Sequence, residues 1–295
     1  MGLASTFQSF LEWGLTNYPA ERTMVVMWDH GGGMNGCCYD ENYSNDCLLN
    51  SEVHSALAGA FASTGRTNKL EVIGYDACLM QVQDVAEFDS TYFNYMIASE
   101  ESEAGYGWDY DGGWLAKIYA NPTTVATSTV LTSVADTFIT DNGGTSSTSN
   151  DQTMSWLDLS KVAAYKTAWE NMASYLKSSV LSSSNKSSFV SLVKGCKYYA
   201  GTDYTYFCTF DAYDFMTKLV ASSTFNTGSV STYVSSVKTA FANLVQYSTC
   251  GKGAGNSHGL CMFFAVSSNV DSSTSYASSE TNFTNWRSIN STYGA

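Results

Sequence analysis

Met24-Val25-Val26-Met27-Trp28-Asp29-His30-Gly31-Gly32-Gly33 and Glu71-Val72-Ile73-Gly74-Tyr75-Asp76-Ala77-Cys78-Leu79-Met80 are two apolar runs, each ending on a reactive side chain. Runs of this length and β-branched content read as buried strands. Between them, Val53, Leu57, Ala60 and Phe61 fall on one side of a helix expected from about Ser51 to Ser63. A helical crossover joins strands that lie parallel, so both reactive groups emerge at the same carboxyl edge of one sheet. The thiol of Cys78 and the imidazole of His30 are thereby a candidate nucleophile and its proton carrier.

Working outward, Phe7, Phe10, Leu11 and Leu15 predict an amphipathic helix over 5–18 that stops near Tyr18-Pro19. A polar, cysteine-bearing loop spans Met34 to Asn50, a helix follows Cys78 over Leu79 to Phe88, and Phe93 to Ala98 is a third strand. It opens onto Ser99-Glu100-Glu101-Ser102-Glu103 and then Gly105-Tyr106-Gly107-Trp108. Successive strands whose ends carry polar, Gly-rich sequence describe an open parallel sheet with a site along one edge. A helix is expected near Thr123 to Ile139, and the Gly- and Ser-rich tract Asp141 to Asn150 is a flexible loop. The chain therefore divides into an α/β core over 1–140, the loop 141–150, and a helical portion over 151–295 packed on the same sheet. In that portion Met154 to Leu157 is short and apolar. Helices follow at Val162 to Leu176 and near 187–197, 212–221 and 230–247, and Leu260 to Val266 reads as a late core strand.

With 295 residues, 44% hydrophobic and 14% charged, the chain has apolar content for a large core. The balance of 14 Lys and Arg against 27 Asp and Glu gives −13, which argues against nucleic acid or anionic lipid as a partner and favours neutral or cationic ones. No apolar run is long enough to span a membrane. Eight cysteines, 2 prolines and the sequons at Asn42, Asn185, Asn282 and Asn290 read as an extracellular glycoprotein. Cys196 with Cys208, and Cys250 with Cys261, have the spacing of short disulfide loops, with reduced buried thiols as the other reading. Met1 to Phe7 has no basic or long apolar segment and is not a secretory signal.

Attack on a peptide carbonyl needs a thiolate, a proton carrier within reach, and donors for the oxygen that becomes negative. Cys78 and His30 fit the first two roles. The backbone N–H groups of Gly31 and of Cys78 fit the third, and the glycines let a substrate backbone come close. A lone histidine or strand-end cysteine is more often structural, but only three histidines exist, and neither His54 nor His258 has flanks like those of His30.

Trp28 to Gly33 and Gly74 to Met80 resemble the His and Cys motifs of the clostripain-like cysteine peptidases, relatives of gingipains, caspases and legumains. The resemblance continues through Ala98-Ser99-Glu100-Glu101, Gly105 to Trp108, Trp156 to Val162 and Gly259 to Phe264, nearly the whole chain. It implies a three-layer α/β/α sandwich of caspase type with a mostly parallel sheet, and a secreted endopeptidase with His30 and Cys78 as a dyad. Gly31 and Cys78 would form the oxyanion hole. Asp76 would favour Arg or Lys before the cut bond, with Tyr106 and Trp108 near the same pocket. Trp108 and Trp114 either line a substrate groove or cap the core. Tyr106 stands where some Arg- and Lys-cleaving relatives place a second carboxylate, which leaves hydrophobic or mixed preference open. Met34 to Asn50 contains no Lys or Arg, so self-cleavage there after a basic residue is impossible. Relatives carry a further strand and helix before the His strand, and a separate N-terminal segment is the expected completion of the sheet. No cofactor is expected. Calcium is a possibility at Asp40, Glu41, Asp46, Glu100, Glu101, Glu103, Asp109 and Asp111, with solvated acidic surface as the simpler reading. Zinc on Cys37, Cys38, Cys47 and His30 lacks the spacing of a zinc knuckle. The rival of a different class is a noncatalytic extracellular scaffold or adhesion module that retains the peptidase fold.

Overall fold

The computed structural model describes residues 2–111, 113–200, 207–266 and 279–294. Ten helices over these residues are α1 Ala4–Asn17, α2 Asn50–Thr64, α3 Gln83–Asp89, α4 Gly113–Ala120, α5 Thr127–Asp141, α6 Val162–Tyr175, α7 Lys186–Lys194, α8 Ala212–Ala221, α9 Val230–Leu244 and α10 Thr284–Tyr293. The strands are β1 Met24–Trp28, β2 Cys37–Asp40, β3 Asp46–Leu48, β4 Leu70–Asp76, β5 Phe93–Ala98, β6 Thr153–Asp158, β7 Thr209–Asp211, β8 Val245–Cys250 and β9 Cys261–Phe263.

The central sheet runs β1-β4-β5-β6-β8, with β1, β4 and β5 parallel and β6 antiparallel to both of its neighbours. Four of its five strands thus point the same way, and helices cover both faces. Alternation decides which side chain goes where. On β4, Val72 joins Trp108, Trp114 and the α5 residues Leu131, Val134 and Phe138 on one face. Ile73 and Tyr75 join Leu57 of α2, Val85 of α3 and Trp169 of α6 on the other. This second layer reaches from Phe7 of α1 to Tyr293 of α10, so both halves of the chain share one core.

Several elements depart from the periodicity. The helix after Cys78 begins at Gln83, because Leu79 takes a left-handed φ of 66° and the Leu79 and Gln81 N–H groups donate to the carbonyls of Glu101 and Ser99. The cysteine loop folds into the β2–β3 hairpin. The helix expected over 230–247 stops at Leu244, and Val245–Cys250 becomes the antiparallel edge strand β8. Helix α10 was missed because it is mostly polar. The Glu170 carboxylate accepts its Asn285 and Trp286 N–H groups at 2.6 and 3.0 Å, and the buried Trp286 indole donates to the Phe263 carbonyl at 2.9 Å.

No disulfide joins any of the eight cysteines. Cys250 lies on the central sheet opposite Thr153, whereas Cys261 pairs with Asp211 in the separate β7–β9 sheet and directs its sulfur to Glu100. Cys196 donates its thiol to the Leu192 carbonyl at 3.4 Å. Spacing along the chain gave no information about which face of which sheet each sulfur occupies. Of the sequons, Asn290 is buried and its side-chain oxygen accepts the Ala265 N–H at 3.1 Å, so in the folded state it offers no site for a glycan. No helix among the described residues is long and apolar enough to cross a membrane.

Buried acids tie the layers together. Asp211 accepts the N–H groups of His258 and Asp214, both at 2.7 Å, and meets His258 Nδ1 at 3.1 Å. Glu100, at the end of β5, accepts the Gly259 N–H at 2.9 Å. Burial, then the Asp211 charge, pushes Glu100 well above the usual carboxylate range. Burial likewise raises Asp84 and Asp89 from 3.8 to about 7 each. Their partners are the hydroxyls of Thr281 and Tyr75. The Asp211 hydrogen bond raises His258 above 6.5.

A carboxyl with a raised folded value binds its proton more tightly in the fold, so stability falls as pH climbs from the unfolded value near 3.8 towards 7. The His258 contribution is complete below 6.5 and is lost as pH rises through its folded value, the same direction. The melting temperature is therefore expected to fall by on the order of 5–10 °C between pH 5 and pH 8. A profile that is flat or rises with pH in a thermal scan contradicts these assignments.

Candidate active site

Strands β1 and β4 stay in register to their last pair, Trp28 with Asp76. Beyond it the two chains remain in contact. A Cβ on Gly31 would overlap the Cys78 carbonyl oxygen and lie 3.0 Å from the Cys78 nitrogen, so only glycine allows this approach. The β2–β3 hairpin holds the His30 segment from the other side. Cys38 N–H donates to the His30 carbonyl and Gly32 N–H to that of Gly36, both at 2.9 Å. Asp29, at φ 105°, makes the turn and accepts the His30 N–H at 2.8 Å.

His30 and Cys78 thus stand on adjacent backbones at one edge of the sheet, as the two apolar runs predict. Their side chains are not hydrogen-bonded to each other. The imidazole is 65% exposed, with Nε2 3.8 Å from a carboxylate oxygen of Glu41. The half-buried Cys78 sulfur accepts the Glu103 N–H at 3.2 Å. Among the described residues, the N–H groups of Gly31 and Cys78 donate to no protein acceptor. The edge therefore gathers a thiol, an exposed imidazole and two unengaged donors, the components of acyl transfer.

Asp76 closes β4 and is buried on the side facing the loop after β5. Its Oδ2 accepts the Trp108 N–H at 3.3 Å and the Tyr110 hydroxyl at 2.9 Å. Gly107, at φ 64°, leaves its Cβ position only 3.0 Å from both Asp76 oxygens, which again requires glycine. The Trp108 ring packs over Gly74 in the core, so it caps the sheet, and only its backbone faces Asp76. Trp114 is in the same core. Tyr106 is 95% exposed at the loop tip. Of the three residues expected around the pocket, Asp76 presents its side chain there, whereas Tyr106 is turned to solvent and Trp108 gives Asp76 its backbone N–H.

Sequence reading missed Tyr110 and considered Glu103 only as a possible calcium ligand or solvated acid. As a residue Glu103 is half-buried, yet both of its carboxyl oxygens are sealed from solvent without a hydrogen-bond partner. Burial, then the Asp76 charge, pushes it well above the usual carboxylate range, with Cys78 adding to the effect. The Trp108 indole N–H lies close enough to ease this, although not in hydrogen-bonding geometry. The signal was the acidic run after β5, which reads more simply as solvated surface.

Among the described residues, no three His, Cys, Asp or Glu side chains converge as a metal site. Several acids considered for calcium are engaged elsewhere. Glu100 holds Gly259, Glu101 accepts the Ala200 N–H at 2.8 Å, and Asp40 and Asp109 cap the turns at Asn42 and Asp111.

A secreted C11 cysteine protease from Bacteroides thetaiotaomicron, in complex with an irreversible peptide inhibitor, shares the fold with a TM-score of 0.69 at 16% identity, over 97% of this chain and 78% of that one. An inactive zymogen C11 protease from Parabacteroides distasonis gives 0.64 at 16% identity, over 89% and 69%. A clostripain from Bacteroides thetaiotaomicron in complex with the peptide inhibitor BTN-VLTK-AOMK gives 0.52 at 19% identity, over 78% and 92%. At these identities the likeness is one of fold. No curated protein sequence matches the chain. The model of the clostripain family, however, matches residues 1–288, through both reactive strands and the late core strand, and the chain accordingly belongs to that family and is a cysteine endopeptidase.

Proposed function

We propose that the protein cleaves peptide bonds through Cys78 and His30, with preference for Arg or Lys before the scissile bond. The observation that carries the reading is the contact of Gly31 with the Cys78 backbone, which brings sulfur, imidazole and two unengaged N–H groups to one edge. In this mechanism the Cys78 thiol passes its proton to the His30 imidazole as the sulfur attacks the substrate carbonyl carbon, and the oxygen that becomes negative is held by the Gly31 and Cys78 N–H groups. Collapse expels the amine, which takes a proton from the His30 imidazole and leaves a thioester. Water, losing a proton to the same imidazole, then hydrolyses the thioester and frees the thiol. His30 performs these transfers by swinging from Glu41 towards the sulfur, a rotation its exposure permits.

Asp76 supports the basic preference, being a buried carboxylate next to the nucleophile. The net charge of −13 attracts cationic peptides to the same end. The Bacteroides clostripain holds a peptide inhibitor with the sequence VLTK, which agrees with a basic residue at that position. Export to the cell exterior belongs to the same proposal. It rests on the sequons, on the low proportion of charged residues and on the secreted Bacteroides relative rather than on the cysteines.

Fluorogenic peptides ending in Arg, Lys, Leu or Asp test this directly. Turnover is expected for Arg and Lys at least about 100-fold above Leu and Asp, and a thiol alkylator is expected to stop it. Absence of alkylation-sensitive turnover on all four would favour the noncatalytic scaffold. Equal turnover of all four would remove Asp76 from the pocket while leaving the dyad in place.

A further inference from the structure

The buried carboxyl groups of this protein fall into two kinds. Glu100, Asp211, Asp89 and Asp84 each hold at least one donor, from Gly259, His258, Tyr75 and Thr281 respectively. Glu103 holds no donor other than a proton it can share with the Asp76 carboxyl it faces, and the nearby Trp108 indole N–H is orphaned as well. A carboxyl placed for stability alone is bonded in the fold, since an unsatisfied buried polar group costs about 1–3 kcal/mol. Orphaned acceptors grouped beside a nucleophile instead await donors from outside.

Asp76 and Glu103 offer complementary acceptors. Both protein donors that reach Asp76, the Trp108 N–H and the Tyr110 hydroxyl, go to Oδ2. Glu103 lies within hydrogen-bonding reach of the Asp76 carboxyl, so with one proton between them the two acids bond to each other, and once that proton leaves, their free oxygens suit the planar fork of a guanidinium with its five N–H groups. The titratable groups facing Glu103 are Asp76 from β4, Cys78 from the turn after it, and Tyr110 from its own loop. No lysine or arginine is among them. Two carboxylates this close without a cation do not both ionise.

We infer that Glu103 is a second specificity carboxyl of the Asp76 pocket, that it carries a proton while the pocket is empty, and that an arginine side chain entering beside Cys78 displaces this proton to solvent. The inference rests on the reading of Asp76 as the partner of a basic side chain. Its balance is simple: neutral Glu103 and a guanidinium cation become an ion pair, the carboxyl O–H bond breaks, and one proton leaves. Preference for arginine over a neutral isostere therefore grows with pH, by up to about tenfold per unit where Glu103 is protonated in the empty pocket. Tyr110, held up by burial and by the Asp76 charge, remains a neutral donor throughout.

The experiment compares kcat/KM for two peptide substrates that differ only in arginine or citrulline before the cut bond, from pH 5 to pH 9, in the wild type, Glu103→Gln and Asp76→Asn. Taking the ratio of the two substrates cancels the titration of Cys78 and His30. In the wild type the ratio is expected to rise with pH. Glu103→Gln, an isostere of the protonated form, is expected to flatten that rise and lower the arginine preference at pH 8 by roughly tenfold or more. A Glu103→Gln protein with wild-type ratio and wild-type pH slope overturns the inference, even while Asp76→Asn abolishes arginine preference and so upholds the Asp76 reading. A wild type that never prefers arginine, with Asp76→Asn unchanged, sinks that reading and the inference with it. Calorimetry needs no change at Glu103. Binding of an arginine-containing peptide amide to the Cys78→Ala protein, in buffers of different ionisation enthalpy at pH 6, is expected to release about one proton, and binding without proton release overturns the inference.

Discussion

Exchange of Cys78 for alanine is expected to lower kcat/KM by at least about 10⁴-fold while leaving the melting temperature within about 3 °C of the wild type. The asymmetry follows from where the sulfur stands. It is half-buried at the sheet edge and accepts a single hydrogen bond, from the Glu103 N–H at 3.2 Å. Its loss removes the only atom proposed to bond with the acyl carbon, but little packing. Cys261 is the opposite case, wholly buried beside Glu100, and its exchange acts on stability instead. Activity measurements paired with thermal scans on both variants separate the roles. A Cys78→Ala protein with more than a trace of turnover would mean that another group performs the attack.

The second large effect is expected at Gly31, a position with no functional side chain. Gly31→Ala forces a methyl group into the Cys78 carbonyl oxygen, and the obstacle is backbone that has no rotamer to give. The end of β1 and the turn carrying Cys78 must separate. Displacing the His30 segment and the proposed oxyanion donors by about 1 Å is enough for a 10²-fold loss of kcat. The strained contact is expected to lower stability by about 1–3 kcal/mol as well. Gly105→Ala is the control, since a Cβ there meets nothing within 4 Å. Gly31→Ala activity equal to that of Gly105→Ala would show that the close approach is not part of the catalytic arrangement.

The reactive edge was legible in the sequence because β1, β4 and β5 are mostly apolar runs, interrupted only at Glu71, Gly74 and Asn94, that give way to polar and glycine-bearing sequence at their carboxyl ends. Parallel order followed from the helix between them. The pocket was less legible. Asp76 sits at a strand end, and its position could be reasoned, but Glu103 lies in an acidic stretch where neighbours point in different directions. Glu100 turns inward to Gly259, Glu101 to Ala200, and Glu103 to Asp76. Linear spacing carries no such information in a loop without period. Trp108 misled for a related reason: its ring fills the space over Gly74, and its amide, which any residue except proline supplies, is the part that touches Asp76. The expected cysteine bridges are absent from the structure: Cys250 ends β8 of the central sheet and Cys261 opens β9 of another, a placement that spacing along the chain does not carry.

The inward-facing acids also alter how the molecule behaves towards bulk ions. Asp84, Asp89, Glu100 and Glu103 are all held above the ordinary carboxylate range. In slightly acidic buffer the intact particle therefore carries fewer negative charges than the formal −13. It should leave an anion-exchange column earlier than its composition suggests, and in a transverse urea gradient gel at pH 6 the unfolded chain gains electrophoretic charge even as its larger frictional drag slows it.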